Sequence, residues 1–296
     1  MKNITLLLLS FLVVFNSCKK EKEKEDEVNP IHVPRLIFKV KIDVEQERLD
    51  NLGEPAIIPE GNAAQTPQFN KISAHYIELT PNKFTQVGEG EVIYHAPETE
   101  EGGANAIDFS QSILVEDGGE MYSIPLEDVQ PGVYEYARVS VVYQNYDVDF
   151  RAEGMNMKAT LASFVGFNTF ITSYFVKTLA DEVNANKSQG YWAWETHPNG
   201  VLIQPLLQTG QAPGTTVPNP IASTSPIPQG SCLVTGQFPE ILTITGDEKE
   251  DIIIELSFSV NNSFEWQDLN GNNIFEPLDG ENVVDMGLRG LIPRKL

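Results

Sequence analysis

Cysteine is nearly absent. The 296 residues hold two, Cys18 and Cys232, too few for the disulfide framework that staples small exported domains. Histidine is scarce too. His32, His75, His95 and His197 are the four, and no two stand at the i, i+4 spacing of a helical metal motif. Cations are outnumbered: 20 Lys and Arg face 42 Asp and Glu, for a formal charge of −22. Such a surface repels nucleic acid and anionic lipid, so no nucleic-acid partner is expected. The longest mostly apolar run, residues 4–15, has 12 positions, short of the roughly 20 a helix needs to cross a bilayer. G-x-S-x-G, P-loop, H-E-x-x-H and dinucleotide fingerprints are all missing. A non-enzyme is the expectation that follows.

What is present at the start of the chain is an address. Lys2, the apolar run and Asn16-Ser17-Cys18 have the layout of a secretory signal. With a cysteine just after the cut, the segment resembles the lipobox of bacterial lipoproteins, in the relaxed form of Bacteroidota. The resemblance implies a signal peptide over 1–17 and a lipidated Cys18, hence an outer-membrane anchor made through lipid only. Residues 19–27 hold four Lys and five acidic residues with no apolar residue, the composition of a solvated tether. That tract is similar to the export signal of surface-exposed lipoproteins, which implies display on the cell surface. Lipid on Cys18 excludes a disulfide between the two cysteines, and Cys232 reads as a small core residue.

Helical periodicity is nearly absent, and alternation replaces it. Residues 36–44 and 251–260 place apolar side chains on even positions, the period of a strand. Residues 133–150 read as one bent strand or two. Residues 161–176 read as strand interrupted near Gly166 and Asn168. Shorter strands are expected at 72–80, 91–95, 120–126, 190–196, 201–208, 232–238, 241–245 and 283–288. Many short strands between turn signals predict an all-β fold, an antiparallel β-sandwich with long Pro/Gly-rich loops, over 35–296. Residues 204–230 carry Pro205, Pro213, Pro218, Pro220, Pro226 and Pro228. Proline cannot donate to a ladder, so a sub-domain break near 205–230 or a long loop fits there. The phrase PGVYEYARVSV at 131–141 resembles a strand opening of Bacteroidota surface sandwiches.

Three groups of residues carry candidate chemistry. Asp268, Asn270, Asn272, Ile274, Glu276 and Asp279 stand at positions 1, 3, 5, 7, 9 and 12 of a loop that resembles the EF-hand pattern and its dockerin-like relatives. The resemblance implies calcium, with Asn273 where glycine is usual, Asp in place of Glu at position 12, and Glu281 nearby. A polar hairpin turn is the alternative, since Asn-Gly is a strong hairpin signal. His75 and His95 fall on two expected strands, which could bring them to one transition-metal site or leave them unrelated. The layout of an exported lipoprotein with an N-terminal strand and a Pro-Gly-x-Tyr strand is similar to MbnP-like copper-binding proteins. That likeness implies copper, without assigning the family's ligands to positions here. Trp192 and Trp194 share one face of a strand, where they form either a sugar-stacking platform or core. Asp147 and Asp149 likewise read as a solvated edge or a carboxylate pair. Binding or scaffolding of a surface protein or glycan is the expected role.

Overall fold

Alternation of burial decides the first strand: Leu36, Phe38 and Val40 face inward while their neighbours stay half-exposed. The computed structural model describes residues 32–50, 54–212 and 232–296. Cys18, the charged tether and most of the proline-rich stretch lie outside the described residues. In chain order the strands are β1 (Arg35–Asp43), β2 (Asn62–Gln65), β3 (Gln68–Thr80), β4 (Glu91–His95), β5 (Glu98–Thr99) and β6 (Ala106–Asp108). There follow β7 (Glu120–Pro125), β8 (Gly132–Ala152), β9 (Met155–Phe164), β10 (Asn168–Phe175), β11 (Ala180–Ser188) and β12 (Tyr191–Thr196). The last six are β13 (Leu206–Gln211), β14 (Cys232–Ile244), β15 (Ile252–Ser259), β16 (Phe264–Gln267), β17 (Val283–Met286) and β18 (Arg289–Lys295). Among the described residues there is no α-helix, so the all-β expectation holds.

The central sheet runs β13-β12-β9-β8-β3-β4, with β14 also paired to β8. The stretch expected to be one bent strand or two is a single strand of 21 residues. Its first half pairs with β14 and its second half with β9, both on the edge away from β3. The two strands expected at 232–238 and 241–245 are one strand, β14, with a register shift between Gln237 and Leu242. The strand expected at 201–208 starts later, at Leu206, after Pro205.

Three smaller sheets cover this sheet, in the orders β18-β15-β1-β7, β11-β10-β6-β5 and β17-β16-β2. Most pairings are antiparallel, but β1 pairs with β15 in parallel, and so does β6 with β10. The antiparallel expectation fails at those two places for a physical reason. A parallel pair needs a long crossover, and long chain segments separate both pairs. The β1 sheet packs Leu36, Phe38 and Leu256 against Ile77, Val139 and Val234 of the central sheet. Farther along, Ala162, Phe164 and Tyr191 meet Ile107 and Ile171, while Leu161, Trp192 and Trp194 on the opposite face meet Phe264 and Phe275. Both faces of β9 and β12 are thereby covered.

An ion pair is buried where β3 pairs with β8, with Glu78 directly opposite Arg138. Glu78 and Arg138 are almost fully enclosed and stand 3.4 Å apart. Glu78 also accepts N–H bonds from Gly88 and Gly90 at 2.9 and 2.7 Å. Burial pushes its carboxyl above the usual range, against the pull of those N–H groups and of Arg138. Removing one partner strands the other charge. Arg138→Leu is expected to lower stability in urea denaturation by about 3–5 kcal/mol. Adding Glu78→Gln to that variant should recover a substantial part of the loss. Equal stability of the single and double variants would show that the charge is not the cause.

Candidate metal centre

Strand β3 is buried on both faces from Ile72 onward, and a bulge within it aims His75. Ala74 pairs with Val141 and Tyr76 with Ser140, which leaves His75 as the extra residue on its strand. Such a bulge bends the strand and redirects a side chain. The His75 carbonyl accepts the Ala96 N–H at 2.7 Å, tying the bulge to the chain just past β4. His95 ends β4 opposite Tyr76. Pro97 follows two positions later, and Glu98 opens β5.

These three side chains meet. His75 Nε2 lies 2.9 Å from Glu98 Oε1 and 3.1 Å from His95 Nε2. His95 Nε2 lies 3.2 Å from the same oxygen. The other carboxylate oxygen accepts a 2.6 Å hydrogen bond from Asn105 Nδ2. The Phe167 ring packs 5.6 Å from the His75 ring. The His75 side chain is fully enclosed, whereas that of His95 is 41% exposed. The cluster therefore has one dry side and one side open to an arriving ion. Among the described residues it is the one group of three His, Cys, Asp or Glu ligand atoms within 4.8 Å of one another.

The protonation states suit a metal. Burial lowers the His75 pKa, overcoming the hydrogen bond to Glu98 that would raise it. The hydrogen bond with His75, opposed by burial and aided by Asn105, holds Glu98 down at about 2. A neutral imidazole and an ionised carboxylate are the forms that ligate. The three ligand atoms form a triangle with edges of 2.9, 3.1 and 3.2 Å. An ion at the usual zinc-to-nitrogen distance of about 2.0–2.1 Å would sit roughly 1 Å above such a triangle, as in a tetrahedral site. One feature opposes the fit. His75 Nδ1 is buried with no partner among the described residues, where a metal-bound imidazole usually donates to a second group. Sequence reading named the two histidines and missed Glu98. Glu98 stands three residues past His95 across a proline, but Glu100 and Glu101 follow it closely and nothing local sets it apart from them.

The loop after β16 closes on itself. Asp268 accepts N–H bonds from Gly271, Asn272 and Asn273 at 2.9, 3.2 and 2.9 Å. Asn270 and Asn272 each donate a side-chain N–H to Glu276 Oε2 at 2.8 Å. Asn272 Oδ1 accepts the Ile274 N–H at 2.7 Å. Asn273 takes the left-handed conformation, φ 59°, which asparagine tolerates. The carboxylate that closes the loop is Glu281, which accepts from Leu269 N and Glu276 N. Asp279, the expected twelfth position, is exposed and takes part in none of these bonds. Calcium ligation by Asn270 and Asn272 would need their amides to turn, exchanging N–H bonds to Glu276 for oxygen contacts.

Trp192 and Trp194 share a face, as expected, and that face looks into the structure. Trp194 meets Phe150 edge-on at 5.0 Å, and both tryptophans line an apolar cavity. Asp147 and Asp149 do not form a carboxylate pair. Lys177 neutralises the first at 2.8 Å and Lys158 the second at 2.7 Å. Cys232 is half-buried at the start of β14, against the first core cluster. No helix among the described residues is long and apolar enough to cross a membrane. No family model, curated protein or solved structure matches the chain.

Glu195, between the tryptophans and His197, anchors the turn before β11. It accepts backbone N–H bonds from Lys177, Thr178 and Leu179 at 2.8, 2.9 and 3.0 Å. Burial opposes ionisation there, but the Thr178 hydroxyl and these N–H groups prevail and hold the pKa below the usual value. A depressed carboxyl adds stability above its unfolded pKa and loses it as pH falls through the folded one. Glu195→Gln is therefore expected to cost about 1.5–3 kcal/mol at pH 7. In paired melts down to acid pH the gap to the parent protein should shrink. A gap constant with pH would contradict the assignment.

Proposed function

We propose that the chain is a non-enzymatic, lipid-anchored protein of the outer-membrane surface that binds one divalent transition-metal ion at His75, His95 and Glu98. The convergence of those three ligand atoms, on two imidazoles and a carboxylate, with His75 held toward its neutral form and Glu98 ionised, carries this reading. Two imidazoles and one carboxylate suit copper(II) or zinc. Calcium and magnesium want oxygen throughout, and copper(I) prefers sulfur. Copper(II) stands highest in the divalent affinity order, and the likeness in layout to MbnP-like proteins points the same way. The anchor rests on the sequence around Cys18, and surface display on the charged tract behind it.

Equilibrium dialysis followed by elemental analysis checks the metal. One copper or zinc ion per chain is expected. His75→Ala and His95→Ala should each weaken binding by more than about 100-fold, and Asn105→Ala, which removes only a supporting bond, by about 10–100-fold. A parent protein that takes up neither ion in stoichiometric amount would refute the proposal.

A second ion belongs to the loop at Asp268, Asn270, Asn272, Ile274 and Glu276, with Glu281 in place of Asp279 as the closing carboxylate. The left-handed Asn273 at position six supports calcium there. Calcium should raise the melting temperature, and Asp268→Ala should abolish the rise. An unchanged melt on adding calcium to the parent protein contradicts this second reading and leaves the first intact.

A further inference from the structure

A cavity of about 760 Å³ lies between the sheet carrying Trp192 and Trp194 and the segment from β16 to β17. Protein interiors rarely leave voids larger than a water molecule, and lining atoms that face an empty space forfeit their dispersion contacts. Small-molecule sites, by contrast, span about 300–1,000 Å³ and are mainly apolar. Trp194 is locked edge-on against Phe150 at 5.0 Å and lies 6.3 Å from Phe275, so the aromatic wall is formed in advance. Met155, Met157 and Met286 complete it. They are three of the five methionines in the chain, and their flexible thioethers adapt to an occupant's outline. Leu206 and Leu278 also line the cavity and are 53% and 69% exposed, which marks its mouth.

The charges around the cavity select among apolar occupants. Among the described residues, the ionisable ones in its lining are Glu153 and Glu281, with no Lys, Arg or His. Glu281 is already held by two backbone N–H groups, and Glu153 is exposed on the turn between β8 and β9. An anionic head group arriving here finds two lining carboxylates and no cation in the described lining, since neighbouring Arg151 is paired with Glu276 at 3.4 Å, on a chain of net charge −22. We infer that this cavity binds an uncharged, ring-bearing, largely apolar small molecule, stacked against Trp192 and Trp194. A fatty acid or other lipid anion is disfavoured by the same wall. The inference stands on observations separate from the metal centre.

The test uses N-phenyl-1-naphthylamine, a neutral two-ring probe whose emission rises in apolar surroundings. Saturable binding of one probe per chain is expected, with energy transfer from the protein's tryptophans. Dodecanol should displace it at least ten-fold better than dodecanoate. Met155→Trp, which fills the cavity, and Trp194→Ala, which removes its wall, should each weaken binding at least ten-fold. Glu153→Lys changes only an exposed turn residue and should narrow the dodecanol preference at least three-fold. Absence of saturable emission in the parent protein overturns the inference, as does equal displacement by the alcohol and the carboxylate. Should the two cavity variants fail to fold, the parent titration and Glu153→Lys decide it.

Discussion

The pairing of β3 with β8 is the constraint on which the rest depends. A strand of 21 residues spans roughly 70 Å if straight, far more than one small sandwich can cover. It therefore curls with its sheet and is shared out. Val139 serves the first core, Val142 and Tyr143 the second, and Tyr146 and Phe150 the third. The register along β3 slips at three places, one of them across His75, between Ala74 and Tyr76. A regular ladder would keep His75 in step with its neighbours. The bulge instead carries it toward His95 and Glu98.

The two proposed ion sites differ in hardness and in how their charge is arranged. At the histidine cluster one dry imidazole faces one wet imidazole, and a single carboxylate supplies the charge. That set favours a borderline ion held by few ligands. At the loop all donors are oxygens or amides, and backbone N–H groups already occupy Asp268 and Glu281. The loop is thus folded by its own hydrogen bonds, and an ion there would add rigidity to a turn that exists without it. The cavity beside it is of a third kind, shaped by packing that the side chains do not complete.

Strand content was legible because burial follows alternation along β1 and β15, where even positions point inward. β11 was not, since Ala180-Asp181-Glu182 and Asn184-Ala185-Asn186 carry too little apolar character to mark a face. The parallel pairing of β1 with β15 was hidden as well, because identical alternation suits either direction. At the site, the two histidines were readable from their placement on strands. Glu98 was lost among the acidic residues around it, since no local pattern separates a carboxylate turned inward from one in solvent. Asp279 was chosen over Glu281 by counting along a helical-loop template. Here the loop turns through a short 3-10 segment, Pro277–Asp279, which leaves Asp279 outside and carries the chain on to Glu281.

The most direct measurement is an anomalous-scattering map from crystals grown with copper or zinc. The account predicts one strong peak within about 2.0–2.2 Å of His75 Nε2, His95 Nε2 and a Glu98 carboxylate oxygen. A peak bound elsewhere, with no density between those three side chains, would contradict it.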